Sequence, residues 1–379
     1  MAMHLPRSQP RELLKSRKTM MNIGKPRARD LGVMFDGQPG PWNAITDVPG
    51  VAVGHETLIE GDHIRTGVTA VLPLGRDGVF CRVPGAYVPL NGNGEITGVQ
   101  WLEESGMLDG PLLLTNTHSV GVVRDAVISW LLKAGPPSAD FLLPVVSETY
   151  DGMLNDINGQ HVTAAHVHRA LDAATSGPVA EGCVGGGTGM ITHGWKGGIG
   201  TSSRVVEAPF GRATLGVLVQ SNYGARRQLT ISGVPVGREI AHSLPTIPPR
   251  RDGSIVAYIG TDAPLLPHQL KRLARRAGMG LARLGSVAHD SSGDLFLAFS
   301  TAEPEIRDGI AHWRAVPYGE SINPLFQAVV EAMEEAIVNA LVAAYTMTGF
   351  GGAVVHALPH EELRAVLARY NRLGPADGR

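Results

Sequence analysis

The sequence predicts an α/β protein in which helices are layered over stacked β-sheets. Three observations carry that expectation. Short β-like runs bounded by Gly, Pro, Asn or Asp dominate the first half of the chain. Helices with apolar faces are readable on both sides of a Pro-rich segment near residue 250. After that segment the order is strand, helix, strand and long helix, which suits helices packed on sheets.

In the first half, β-like runs cover Ala44 to Gly54, Gly67 to Pro73, Pro111 to Thr115 and Phe141 to Val146. Between them, Val120 to Ala134 puts Val123, Ala126, Val127, Trp130 and Leu131 on one helical face. Gly135 is expected to cap that helix in the left-handed conformation, and Pro136 and Pro137 to stop it. The Gly-dense stretch from Gly182 to Gly200 reads as strands joined by tight turns. Gly185, Gly186, Gly187 and Gly189 lie together there. Lys196, however, is followed by Gly and not by the Ser or Thr of a phosphate-binding loop, which argues against a nucleotide site.

Pro245 to Gly253, PTIPPRRDG, reads as an exposed irregular linker, and an apolar strand from Ser254 to Gly260 follows it. A helix is expected to begin near Pro267, with Leu270, Leu273, Ala274 and Ala277 inside and Lys271, Arg272, Arg275 and Arg276 outside. A longer helix is expected to be capped by Asn323 and opened by Pro324. Its Leu325, Phe326, Val329, Met333, Ala336, Ile337, Ala340 and Leu341 cover much of the circumference, so it should lie deep in the fold. A short amphipathic helix from Glu361 to Tyr370 ends the pattern.

Composition narrows the function. Hydrophobic residues make up 43% and charged residues 18%, values that exclude bulk disorder. Aromatics reach only 5% while glycines number 48, so the core should be aliphatic and the turns tight. A formal net charge of −2 provides no field for general nucleic-acid binding. Cys81 and Cys183 form no CxxC pair and read as reduced thiols. The first thirty residues are basic but lack the apolar stretch of a secretory signal, so a flexible tail over residues 1–30 and a cytoplasmic location are expected. No apolar run approaches membrane-spanning length.

The informative feature is a serine between a Pro-rich linker and a buried strand. A serine hydroxyl needs a base to become a good nucleophile. If the Gly253–Ser254 bond is cut, the new α-amine can be that base, because its reference pKa is about 8 and it sits on the same residue. Gly253 removes bulk on the departing side. The Asp-Gly-Ser tripeptide by itself reads far better as an ordinary turn leading into a strand.

Longer segments change that balance. DGSIVAYIGTDAPLLPHQL (252–270), SSGDLFLAFSTAEP (291–304), SETYDG (147–152), QSNYG (220–224) and GNGEITG (92–98) resemble motifs of the P1 peptidases, the DmpA-type L-aminopeptidase/D-Ala-esterases and β-aminopeptidases, and they occur along the chain in the family's order. The resemblance runs from about residue 30 to near the C-terminus. It implies a four-layer αββα sandwich similar to the N-terminal-nucleophile hydrolases, forming one structural domain. A large segment (31–253) and a small one (254–379) would arise by self-cleavage between Gly253 and Ser254.

Carried over by position, the resemblance makes Ser254 the nucleophile, and Ser292 and Asp294 the pair that orients and assists it. Asn222 becomes the oxyanion donor, Tyr150 an active-site tyrosine and Glu148 the carboxylate that receives a substrate's free amine. The physical chemistry is compatible with each role. A Ser-Gly-Asp turn can hold a hydroxyl and a carboxylate near an ammonium, an asparagine amide can donate to an alkoxide, and a carboxylate disfavours substrates lacking an amine. The implied reaction is release of N-terminal residues from small peptides, amides or esters. The resemblance also implies a homotetramer, with neither metal nor organic cofactor.

Two rival readings stand beside this one: an acyltransferase similar to the ornithine acetyltransferases, which cleave themselves before threonine, and an uncut amine-binding protein without activity. His161, His166 and His168 cluster, but their spacing is not HExxH, so they read as surface histidines. His289 lies close to Ser292 in sequence, and the proposed chemistry does not need it.

Overall fold

The computed structural model describes residues 25–135, 141–246, 253–312 and 317–374. Its two main sheets contain β1 (Ala52–Glu60), β2 (Ile64–Leu72), β3 (Arg82–Gly92), β4 (Met107–Asp109), β5 (Leu112–Asn116), β6 (Val145–Thr149), β7 (Gly198–Ala208), β8 (Gly211–Asn222), β9 (Ser254–Thr261) and β10 (Gly293–Ser300). The helices that matter for the site are α1 (Val99–Ser105), α2 (Val120–Ala134), α3 (Ala164–Asp172), α4 (Pro267–Arg283), α5 (Asn323–Ala343) and α6 (His360–Arg369).

One sheet has the order β1-β2-β5-β6, and the other β4-β3-β10-β9-β8-β7. Most neighbours are antiparallel, while β5 with β6 and β9 with β10 run parallel. Three apolar layers define the stacking. Val123, Val127 and Leu131 of α2 pack with Val68, Leu113 and Val146 on the outer face of the four-stranded sheet. Val71, Leu112 and Val145 meet Val256, Tyr258 and Leu297 between the sheets. Ile255, Ala257 and Phe296 pack with Leu270, Leu273 and Met333 of α4 and α5 on the far side. The strict alternation along β9 supplies both layers, which is why every residue of that strand is buried. The result is the predicted αββα sandwich.

Helix α2 has the predicted bounds, and its five predicted apolar residues are all buried. Helices α4 and α6 also fall where expected, with the predicted inner face of α4 fully buried. Helix α5 is buried on nearly every side. The Gly-dense stretch forms a 3₁₀ turn at Gly185–Gly187, a hairpin pairing Ile191–Thr192 with Trp195–Lys196, and the start of β7. Gly200 lets α5 approach β7 closely: a Cβ there would lie 1.9 Å from the Ala336 carbonyl oxygen.

Several local expectations are corrected. Ala44 to Val51 is not a strand. The Asp47 carboxylate accepts the Trp42 and Ala44 N–H groups and holds a 3₁₀ turn, so β1 starts only at Ala52. Phe141 to Pro144 precedes β6 rather than forming it. Gly135 has φ 164°, which is extended and not left-handed, and Pro136 and Pro137 lie outside the described residues. Asn323 is the first residue of α5, and the capping position falls on Ile322 without a side-chain hydrogen bond.

Residues 25–30, expected to belong to a tail, are packed. Arg27 pairs with Glu181 at 2.7 Å and donates to the Trp42, Asn43 and Thr201 carbonyls. Arg29 pairs at 2.7 Å with Glu335 of α5, which also meets Arg204 at 2.8 Å. Burial opposes ionisation of Glu335, but the bonds to Arg29 and the charge of Arg204 outweigh it and lower its pKa. Residues 1–24, and residues 247–252 of the expected linker, lie outside the described residues. Cys81 is an exposed free thiol and Cys183 a buried one. Among the described residues, no helix is long and apolar enough to cross a membrane.

Candidate active site

The site lies at one end of the six-stranded sheet. Ladder pairing aligns four residues across four strands there: Gly92 opposes Gly293, Gly293 opposes Ser254, and Ser254 opposes Asn222. Directly opposed residues project their side chains to the same face. Ser254 and Asn222 share the parity of Val256 and Leu218, whose side chains lie between the sheets. Both therefore face the gap between the two sheets, where a cavity of about 1070 Å³ opens. Glu148, Tyr150, Asn222, Gly253 and Ser254 all line it.

Gly253 fits a crowded position. A Cβ on it would lie 2.2 Å from the Asn222 carbonyl oxygen and 2.6 Å from the Tyr223 Cα. The next residue, Ser254, is buried, and its Oγ accepts the Gly293 N–H at 3.2 Å. Ser292 and Asp294 flank that glycine. Ser292 Oγ donates to Asp294 Oδ1 at 2.8 Å, and both residues are buried behind the cavity wall. Burial raises the Asp294 pKa, while the Ser292 hydroxyl and the Ile255 N–H pull it back.

Asn222 is fixed at both ends of its amide. Its Oδ1 accepts the Ile191 N–H at 2.8 Å, and its Nδ2 donates to the Tyr150 carbonyl at 2.9 Å. An amide nitrogen carries two hydrogens, so a second donor is available on the same atom. Ile191 belongs to the Gly-dense hairpin, and the hairpin is held by Lys196. That fully buried ammonium donates to the Met190 carbonyl at 2.7 Å, the Gly197 carbonyl at 2.9 Å and the Gly187 carbonyl at 3.4 Å. Burial lowers the Lys196 pKa, and the Cys183 sulfur opposes that shift.

Glu148 is the penultimate residue of β6 and is only 3% exposed. Its Oε1 accepts the Glu95 N–H at 2.9 Å, and its Oε2 accepts the Thr117 hydroxyl. Burial raises its pKa, against the pull of these two donors. Among the described residues it forms no ion pair with lysine or arginine.

The sequence motifs thus converge. Of the residues singled out, Ser254, Asn222, Tyr150, Glu148 and Gly253 share one cavity, and Ser292 with Asp294 backs it. Sequence reasoning assigned no role to Thr117, Ile191, Lys196 or Glu95, the last inside the GNGEITG motif, although they hold Glu148 and Asn222 in place. None of them is close in sequence to the residue it serves, so the contacts themselves appear only in the fold.

The histidines do other things. His161 lies 3.6 Å from Asp156 and stacks edge-on with His63. His166 Nδ1 caps the Thr163 N–H, and His168 Nε2 meets the Ser129 hydroxyl at 2.9 Å. All three are half-buried rather than fully at the surface. His289 faces Gln228, with its Nε2 3.2 Å from the amide nitrogen. Among the described residues no group of three or more His, Cys, Asp or Glu could hold a metal ion.

A buried serine opening a central strand of an αββα sandwich defines the class of N-terminal-nucleophile hydrolases. The sequence matches the profile of peptidase family S58 over residues 43–355. It is 50% identical to the β-peptidyl aminopeptidase BapA of Sphingosinicella microcystinivorans, across 93% of this chain and 94% of that protein. The fold is similar to the L-aminopeptidase D-Ala-esterase/amidase of Ochrobactrum anthropi, with a TM-score of 0.87, 46% identity and coverage of 92% and 100% of the two chains. A Burkholderia sp. β-aminopeptidase gives a TM-score of 0.82 at 50% identity, covering 91% of this chain and 99% of its own. The chain belongs to peptidase family S58 and, as a member of it, is a self-processing serine aminopeptidase.

Proposed function

We propose that Ser254, freed by cleavage after Gly253, is the nucleophile that releases N-terminal residues from small peptides, amides or esters. One observation carries this reading: the buried carboxylate of Glu148 shares a cavity with Ser254 and accepts only neutral donors. A buried carboxylate is costly without a cationic partner, and a substrate ammonium would supply one. The names of the relatives, β-peptidyl aminopeptidase and L-aminopeptidase D-Ala-esterase/amidase, support amino-acyl substrates in the α or β series.

In the uncut chain the nitrogen of Ser254 is an amide and has no basicity. Ser254 Oγ attacks the Gly253 carbonyl, the C–N bond breaks as the ester forms and the nitrogen takes up a proton to become the free α-amine, and water then hydrolyses the ester to give the Gly253 carboxylate and the free Ser254 hydroxyl. In turnover this amine takes the hydroxyl proton as Oγ attacks the substrate carbonyl, and it returns the proton to the leaving group. The second Nδ2 hydrogen of Asn222 donates to the developing oxyanion. Water then releases the acyl group. Ser292 and Asp294 sit on either side of the ladder partner of Ser254, where they can hold the new ammonium during the cycle. Tyr150 closes the cavity wall between Glu148 and Asn222. We also propose a homotetramer of αβ units, which sedimentation would test.

Ser254→Ala should give a folded, uncut, inactive chain. Asn222→Ala should slow both self-cleavage and turnover, the latter by roughly 10²–10³-fold in kcat. An unmodified enzyme that transfers acetyl from N-acetylornithine but releases no amino acid would favour the acyltransferase reading instead.

A further inference from the structure

The register row that carries Ser254 also separates two charged ends of the cavity. Past Gly92, the β3 end of the row leads to Glu95, whose N–H holds Glu148. Past Asn222, the β8 end leads to the 3₁₀ turn Arg226–Gln228. Ser254 stands between them on β9. Three inter-strand spacings separate β3 from β8, about 14 Å in all.

Three arginines line the cavity, Arg226, Arg227 and Arg238. Arg226 is committed to the scaffold. Its guanidinium lies 3.2 Å from the centre of the Trp195 ring and donates to the His193, Gly194 and His242 carbonyls. Arg227 and Arg238 are exposed, and among the described residues neither guanidinium has an acceptor. They are kept close together, because Gly237 N–H bonds to the Leu229 carbonyl at 3.0 Å and the helical turn Val236–Glu239 packs against the Arg226–Gln228 turn. Among the described residues, the cavity thus runs from a carboxylate with no lysine or arginine partner, past the nucleophile, to two guanidinium groups with no carboxylate partner.

We propose that Arg227 and Arg238 form a carboxylate subsite on the leaving-group side, so that the preferred substrates are short peptides with a free C-terminal carboxylate. This deepens the reading above and rests on its placement of the substrate ammonium at Glu148. With the ammonium there and the scissile carbonyl over Ser254, the leaving amino acid extends toward β8. A di- or tripeptide, at roughly 3.5 Å per extended residue, together with the reach of an arginine side chain, spans the row. A guanidinium can take a carboxylate with two parallel hydrogen bonds. A C-terminal amide offers no charge for the same pair.

The test compares kcat/KM for one dipeptide as its free acid and as its C-terminal amide, in the parent enzyme and in the double variant Arg227→Gln/Arg238→Gln. The parent should prefer the acid about three- to tenfold, the scale of exposed charge-assisted pairs. That preference should shrink in high salt, because exposed charges are screened. In the double variant the acid-to-amide ratio should fall toward one. Equal rates on acid and amide in the parent, or a ratio that the double variant leaves unchanged, would overturn the subsite while leaving the aminopeptidase reading intact. Failure to hydrolyse either dipeptide would overturn the aminopeptidase reading and this subsite with it.

Discussion

Asn222 and Ser254 stand opposite one another as the last pair of the β8–β9 ladder. The pairing does two things at once. It brings an amide donor beside the hydroxyl on one face of the sheet, and it holds the backbone of Gly253 against the Asn222 carbonyl. The bond to be cut and the group proposed to stabilise its oxyanion are therefore fixed by one ladder.

Gly253→Ala should block or strongly slow self-cleavage. The added Cβ would fall 2.2 Å from the Asn222 carbonyl oxygen, within backbone that cannot swing away like a side chain. The ladder pair must open to admit it, which moves Ser254 away from Asn222. A denaturing gel over time should show the 40.1 kDa chain persisting when the parent has been cut. Processing at the parent rate would show that the close approach is irrelevant to the reaction.

Glu148→Gln should raise KM for substrates with a free amine far more than it slows self-cleavage, which involves no ammonium. The pH profile provides the second readout. Burial raises the Glu148 pKa, so the carboxylate that binds an ammonium forms only above the ordinary glutamate range and is lost as pH falls through that raised value. The acid limb of kcat/KM should lie correspondingly high in the parent and vanish in the glutamine variant. Linkage has the opposite sign for the empty enzyme. A carboxyl group whose pKa is raised by folding contributes stability that is complete below its unfolded value and lost as pH rises through the folded one. A bound amine should therefore stabilise the protein most at neutral and higher pH, which a thermal shift titration with a simple amino-acid amide can measure.

Lys196→Met should destabilise the fold and impair turnover together. It removes one of two donors to the Met190 carbonyl, which keeps the Gly197 N–H, and the donor to the Gly197 carbonyl, at about 1–3 kcal/mol for a buried group left unsatisfied. It also loosens the hairpin whose Ile191 N–H aims the Asn222 amide. If melting temperature falls while kcat stays at the parent value, the hairpin does not position Asn222.

Much of this architecture is legible in the sequence because it follows from periodicity. The apolar face from Val123 to Leu131 and the all-round burial of α5 need no tertiary information. Ala44 to Val51 looked like a strand because its apolar residues are indeed buried, but Asp47 bonds back to nearby N–H groups and winds the segment into a turn. The buried stripe of Glu331, Glu335 and Asn339 in α5 was hidden for the opposite reason. Its partners Arg204, Arg29 and Ala28 are distant in sequence. At the site, the motifs contained Ser254, Asn222 and Glu148, whereas Thr117, Ile191 and Lys196 act through contacts that only the stacked sheets create.

The central claim is that Ser254 becomes the N-terminus of the smaller chain and carries the reaction. N-terminal sequencing of the purified protein, run beside Ser254→Ala, tests it most directly. The parent should yield a fragment beginning Ser-Ile-Val-Ala-Tyr, and the alanine variant a single uncut, inactive chain. A parent that starts elsewhere or remains whole while hydrolysing substrate, or an alanine variant that is still cut and still active, would contradict it.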